Sequence, residues 1–265
     1  MLKNLLTVCF LFAAALLRGE ALVIGDATCG APAGALQHAA IDYALKSGHE
    51  ISFRQIKPQE ALSRLQSGVL DILLIERRFV PQEISLQQIP FAAEALTCYI
   101  YPENPLQNLR KKDVLDILSS PSPDWSNYLG LKIKIQRIAL KNSSPGGQLI
   151  NRIFGEKDFA PEIFRVSSSE QLFKFLNAAA IGFAPYQSER PLGALPVKID
   201  NILPDRKTVS RGEYPLTLRY DLVFLKKNSG KLSPFFELLF QEKYREKLED
   251  SFLLPLSLPF RPEPL

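Results

Sequence analysis

Histidine and cysteine are scarce in this chain, with two of the former and three of the latter, alongside one tryptophan and one methionine. His38 falls inside an amphipathic pattern and His49 in a turn, so neither reads as a metal ligand or a general base. No Cys/His spacing of zinc type accompanies them. A Gly-x-Ser-x-Gly elbow is also missing, which leaves the neighbouring hydroxyls of Ser143 and Ser144 without the context of a hydrolase nucleophile. Nor is there a glycine-rich loop of nucleotide-binding type. The expectation is a protein that is not an enzyme and needs no cofactor or metal. A large excess of one charge is lacking too: the net charge is +4, with no dense basic run, which argues against non-specific nucleic-acid binding.

Long apolar runs are absent with one exception. Leu5 to Leu17 is apolar behind Lys3, shorter than the ~20 residues a bilayer-spanning helix needs. A short apolar stretch after a basic start, followed by the small residues Gly19 and Ala21, is the pattern of a secretory signal peptide cleaved after Ala21. The mature chain, 22–265, would then lie in the periplasm with no stable membrane span. Cys9 leaves with the leader. Cys29 and Cys98 remain, either as a disulfide or as two buried thiols, the second being the preferred reading.

What is present alternates between two periods. Leu22–Ile24 reads as a strand, Gly34–Lys46 as a helix, Ile51 and Phe53 as a second strand, Gln59–Ser67 as a helix, and Val69–Ile75 as a strand covered on both faces. That β-α-β-α-β order implies a parallel sheet flanked by helices. Phe91–Tyr101 is a further strand, and Val114–Leu118 a short helix. Leu131–Leu140 alternates basic and apolar residues, as a strand with one wet face would. Helices are expected from Gln148 to Phe154 and from Ser167 to Asn177, then strands at Ala180–Ala184 and Thr217–Leu225. Phe235–Phe240 and Tyr244–Leu248 read as helices, and the proline-rich tail from Leu254 has no regular pattern.

Several stretches, in this order, resemble the phosphate-binding proteins of ABC transporters. The clearest is Gly212-Glu213-Tyr214-Pro215-Leu216 leading into a strand, preceded by Val197-Lys198-Ile199-Asp200-Asn201-Ile202-Leu203-Pro204. Ala92-Ala93-Glu94-Ala95-Leu96, followed by Tyr101-Pro102-Glu103-Asn104-Pro105-Leu106, is similar to that family's first crossover strand and its Asn-Pro stop. Trp125 and Ala180-Ile181-Gly182-Phe183 have counterparts there as well. The resemblance implies an α/β, two-lobed type 2 periplasmic binding protein fold, with mixed sheets, flanking helices and two crossover strands. Lobe 1 would be 22–102 plus 206–265, and lobe 2 would be 103–205, closing on a small anion. It further implies delivery to an ABC permease or another envelope protein, and a monomer.

An anion needs amide hydrogens and positive charge, and both are found where a parallel strand turns into a helix. The candidates are Thr28, Cys29 and Gly30 after the first strand, Lys57 after the second, and Glu76 with Arg77 after the third. A further group is Lys141, Ser143, Ser144, Gly146 and Gly147 ahead of the helix at Gln148. Arg77 and Lys141 read equally well as solvated strand-end charges, and Gly146-Gly147 as a plain turn. Tyr214 and Trp125 read as packing residues. The resemblance implies an arginine and a Ser-Gly-Thr in the last loop. Lys141 and Pro145-Gly146-Gly147 stand there instead, and Lys57-Pro58-Gln59 replaces serines and glycine after the second strand. A lysine keeps charge but loses bidentate geometry. The phosphate site is therefore expected to be eroded, suiting a different oxyanion or leaving a module of protein–protein contact that binds no free phosphate.

Overall fold

The computed structural model describes residues 19–28, 30, 32–155, 159–189 and 191–256. In chain order the elements are β1 (Gly19–Asp26), α1 (Pro32–Ser47), β2 (His49–Gln55), α2 (Pro58–Gln66), β3 (Ile72–Glu76), β4 (Leu86–Ile100), β5 (Asn108–Leu109), α3 (Lys111–Ser119), α4 (Ser126–Leu129), β6 (Gln136–Leu140), α5 (Pro145–Phe154) and β7 (Phe164–Val166). There follow α6 (Ser169–Phe175), β8 (Ala180–Pro185), β9 (Leu195–Pro196), β10 (Lys198–Ile199), α7 (Arg206–Arg211), β11 (Thr217–Leu225), α8 (Ser229–Leu239), α9 (Glu242–Asp250) and β12 (Leu254–Pro255). No helix among the described residues is long and apolar enough to cross a membrane. The expected leader lies outside the described residues as far as position 18, and Gly19 already opens β1.

The chain divides into two compact units. Among the described residues, the first comprises 19–91 and 220–251, and the second 92–219 with 252–256. Two strands, β4 and β11, run from one unit into the other, so the chain has the two crossovers expected of its fold.

In the first unit β1 lies between β2 and β3, parallel to both, and β11 runs antiparallel to β3. The β3 side chains Ile72 to Ile75 are all buried, which is why this strand reads as an unbroken apolar run. Ala61 and Leu65 of α2 pack with Ile56, Leu73, Ile75 and Val223. On α1, Leu36, Ala39 and Ala40 are buried, and Tyr43 meets the Phe235 ring edge-on at 5.5 Å. Next to Tyr43 in sequence, Asp42 accepts hydrogen bonds from Lys243 (2.7 Å) and Tyr244 (2.5 Å) of α9, and these hold its carboxyl down at about 2.

In the second unit β8 pairs with β4 on one side and with β6 on the other, antiparallel and parallel respectively, and β7 lies parallel beyond β6. Gly182 of β8 is required by packing: a Cβ there would sit 2.4 Å from the Leu172 side chain of α6. Trp125 is buried, and its indole N–H donates to the carbonyl of Ala179 at 3.0 Å. Asn104 is buried as a polar brace, donating to the Ala178 carbonyl and accepting from the Leu106 N–H. Tyr214 is also buried, and the loss of solvent raises its hydroxyl pKa well above the ordinary range.

Some sequence expectations need correction. The strand expected over Leu131–Leu140 is confined to Gln136–Leu140; its first half is irregular apart from one bridge, Lys134 to Asp124. The wet alternation belongs to that irregular part, because β6 lies between two strands and buries Arg137 to Leu140. β3 begins only at Ile72, since Val69 and Leu70 are tied by their N–H groups to the Arg64 carbonyl. His49 opens β2 rather than lying in a turn. Leu254–Pro255, expected to be irregular, pairs with Ala92 and Ala93 of β4.

Candidate anion-binding turns

In the first unit the carboxyl ends of β2, β1 and β3 lie side by side, with Asp26 in register with Gln55 on one side and Leu74 on the other. Thr28, Lys57 and Glu76 therefore leave the sheet at one edge. Backbone bonds fix that edge: the N–H of Ile56 donates to the Asp26 carbonyl at 2.9 Å, and that of Ala27 to the Leu74 carbonyl at 2.8 Å. Gly30 accepts from the Ala33 N–H at 3.3 Å, opening α1. Lys57 is exposed and immediately precedes α2, whose first residue is Pro58. Proline at that position gives up one amide, and the Glu60 N–H is turned back to the Lys57 carbonyl at 3.0 Å, which leaves the Gln59 amide as the donor nearest the helix start. Cys29 lies outside the described residues.

The groups at this edge are already engaged in part. Asp26 is buried, and its Oδ1 accepts from both the Thr28 N–H (2.8 Å) and the Thr28 hydroxyl (2.7 Å). The sequence reading missed Asp26; the signal available was the Asp-x-Thr spacing, which lets a carboxylate close its own turn. Arg77 donates twice to Asp221, Nε to Oδ2 and Nη2 to Oδ1, both at 2.7 Å, and Gln88 donates to the same carboxylate. Asp221 is fully buried, so Arg77 serves as the counter-ion of a carboxylate that no solvent reaches. Glu76 pairs with Arg78 at 2.8 Å.

In the second unit the turn after β6 is built tightly. The Lys141 N–H donates to the Val166 carbonyl at 2.9 Å, and the exposed lysine side chain stands at the carboxyl end of β6. Ser144 caps α5: its hydroxyl donates to the Lys141 carbonyl (2.8 Å) and accepts from the Gly147 N–H (3.1 Å). That hydroxyl satisfies a helix end, while Ser143 is exposed. The glycines are there for contact. A Cβ on Gly147 would lie 2.0 Å from the Lys141 carbonyl oxygen, and one on Gly146 2.7 Å from the Leu140 side chain. Arg165 reaches back to the Leu140 carbonyl at 3.0 Å, and its burial lowers its pKa.

Behind this turn Arg152 of α5 grips Glu94 of β4 at 3.0 Å, the carboxylate being buried. The sequence reading passed over Arg152, whose partner lies 58 residues away. Cys98, also on β4, is a free and fully buried thiol, and burial drives its pKa far up, so it is inert. Among the described residues no cluster of His, Cys, Asp and Glu could hold a metal ion.

No protein-family model matches this chain, and no curated protein matches it in sequence. Solved structures do match. A possible phosphate binding protein from Planctomyces limnophilus is similar at a TM-score of 0.73 and 17% identity, over 91% of this chain and 94% of that one. PstS from Borrelia burgdorferi is similar at 0.69 and 16%, over 91% and 100%. An ABC-type phosphate transport receptor from Vibrio cholerae is similar at 0.64 and 18%, over 88% and 99%. The likeness extends over nearly the whole of each chain and is one of fold: this protein has the mixed α/β, type 2 periplasmic-binding-protein architecture of those three structures.

Proposed function

We propose that this chain is an exported solute-binding protein for a small oxyanion, phosphate or a relative of it. Lobes 22–102 plus 206–265 and 103–205 would close on the ligand, and the leader would be cleaved after Ala21. The observation that carries the reading is the pairing of an exposed lysine with a helix start at a carboxyl strand end in each unit, Lys57 before α2 and Lys141 before α5. Thr28, Cys29, Gly30 and Glu76 in the first unit, with Ser143, Gly146 and Gly147 in the second, would complete the polar contacts. Arg77 and Ser144 would support them, since their own donors are engaged. Handing the anion to an ABC permease belongs to the same reading.

The test is titration of tryptophan and tyrosine emission with phosphate, sulfate and larger oxyanions, with mass spectrometry of any anion that co-purifies. A saturable response to at least one oxyanion supports the reading. A folded protein with no response to any of them overturns it.

A second reading, a module of the cell envelope that binds no free solute, draws on Asp26. Its carboxylate already takes the amide and hydroxyl of Thr28 that an oxyanion would need.

A further inference from the structure

The second unit holds a cavity of about 450 Å³ at the opposite end of its parallel strands, where Gln136 opens β6 and Phe164 opens β7. It lies about one strand length, ~16 Å at ~3.3 Å per residue, from the turn at Lys141. Arg137, Glu162, Lys134, Phe164, Phe175 and Pro121 are among its lining residues.

Arg137 is the feature that calls for an explanation. Its guanidinium is charged, yet the residue is 4% exposed. Nη1 donates to the carbonyls of Ile117 and Ser120, and Nε has no hydrogen-bond partner. The carboxylate beside it, Glu162, stands 3.6 Å from Nη2. Charge-assisted N–H···O bonds close to ~2.7–2.9 Å, so Glu162 is a neighbour and not a seated partner. Its own side chain is 59% exposed and free to swing into water. Burial opposes the Arg137 charge while Glu162 only partly restores it, and its pKa falls accordingly. A buried cation so poorly answered is costly unless an anion completes it.

The walls indicate what that anion carries. Phe164 and Phe175 meet edge to face at 5.2 Å, and each is about half exposed, an apolar surface that nothing among the described residues covers. The exposed Lys134 leaves two cations against one carboxylate around the cavity. The volume suits a small organic ligand.

We propose that this cavity is a second binding site, for a monocarboxylate with an apolar or aromatic body. The carboxylate would displace Glu162 from the Arg137 guanidinium and the body would lie against Phe164 and Phe175. The site is independent of the oxyanion reading above.

The test uses the whole chain with phenylacetate as probe and phenylacetamide as its neutral isostere, followed by calorimetry and by Trp125 emission. Trp125 adjoins the cavity wall: it follows Asp124 and the lining residue Pro123, whose carbonyl accepts from the Ile135 N–H at 2.9 Å. Phenylacetate is expected to bind about tenfold or more tighter than the amide, because a charge-assisted bond replaces a neutral one. Replacing Arg137 risks the fold, so the variants are Glu162→Gln and Phe175→Ala. Removing the competing carboxylate should tighten phenylacetate by about two- to fivefold. Removing the ring should weaken it by about fivefold. The proposal is overturned if acid and amide bind alike, if neither binds, if Glu162→Gln leaves the affinity unchanged or lower, or if phosphate displaces phenylacetate.

Discussion

Two strand-to-helix turns carry most of the candidate ligand groups, and they close on opposite kinds of atom. After β1, the Thr28 N–H and hydroxyl both donate to the carboxylate of Asp26. After β6, the Gly147 N–H donates to the hydroxyl and the carbonyl of Ser144, both neutral, beside an exposed lysine. One turn carries its own negative charge and the other carries none. Two like charges ~4 Å apart, at an effective dielectric of ~20, repel by about 4 kcal/mol. On the proposed reading, the turn at Lys141 would therefore be the better host for an oxyanion, and the turn at Thr28 would accept one only if Asp26 yielded its donors.

The comparison can be broken most forcefully at Gly147. Gly147→Ala places a methyl on the Lys141 carbonyl and should cost about 3 kcal/mol of stability in urea unfolding. A loss below ~1 kcal/mol would mean that α5 can back away from the strand, and that the tight turn is not what holds the lysine in place. Asp26→Ala sharpens the contrast from the other side. It frees the Thr28 donors and removes the charge, so phosphate affinity measured by emission titration should rise about tenfold, or about 1.4 kcal/mol. A fall in affinity, in this variant and in Asp26→Asn, would instead make the carboxylate an acceptor for a ligand hydroxyl. The smallest effect is expected from Ser144→Ala, which removes a helix cap worth about 1 kcal/mol. Phosphate affinity should be unchanged in it; a loss would return the hydroxyl to the ligand.

What the sequence could say about these turns follows the range of the interactions. The β-α-β-α-β order of the first unit is written in local periodicity, and the elements from β1 to β3 fall close to where the apolar spacing puts them. The capping role of Ser144 is local as well, three residues from the amide it accepts. Asp26 was within reach, since its partner is two residues away, although a carboxylate that consumes donors is not a residue type that points to an anion site. Arg77 lay beyond reach: its partner is 144 residues on, and only the pairing of β11 with β3 brings Asp221 beside it. The same holds for Arg137, which the basic-apolar alternation of Lys132 to Ile135 does not single out. Burial in a central strand depends on neighbours that the pattern does not contain. The short helix α7 went unrecognised because six residues give too little periodicity to detect; its Asp205 cap was the readable mark.

The late arrival of Asp221 has a consequence for how the chain is made. A ribosome releases the second unit, all but its final strand, as one uninterrupted stretch from 92 to 219. Over the same interval the earlier-made half of the first unit waits without β11 and its two last helices, holding in Arg77 a cation whose partner has not been synthesised. Domains tend to mature as they emerge. Here the second unit would mature before the first, and residues 19–91 would be the stretch most dependent on a chaperone.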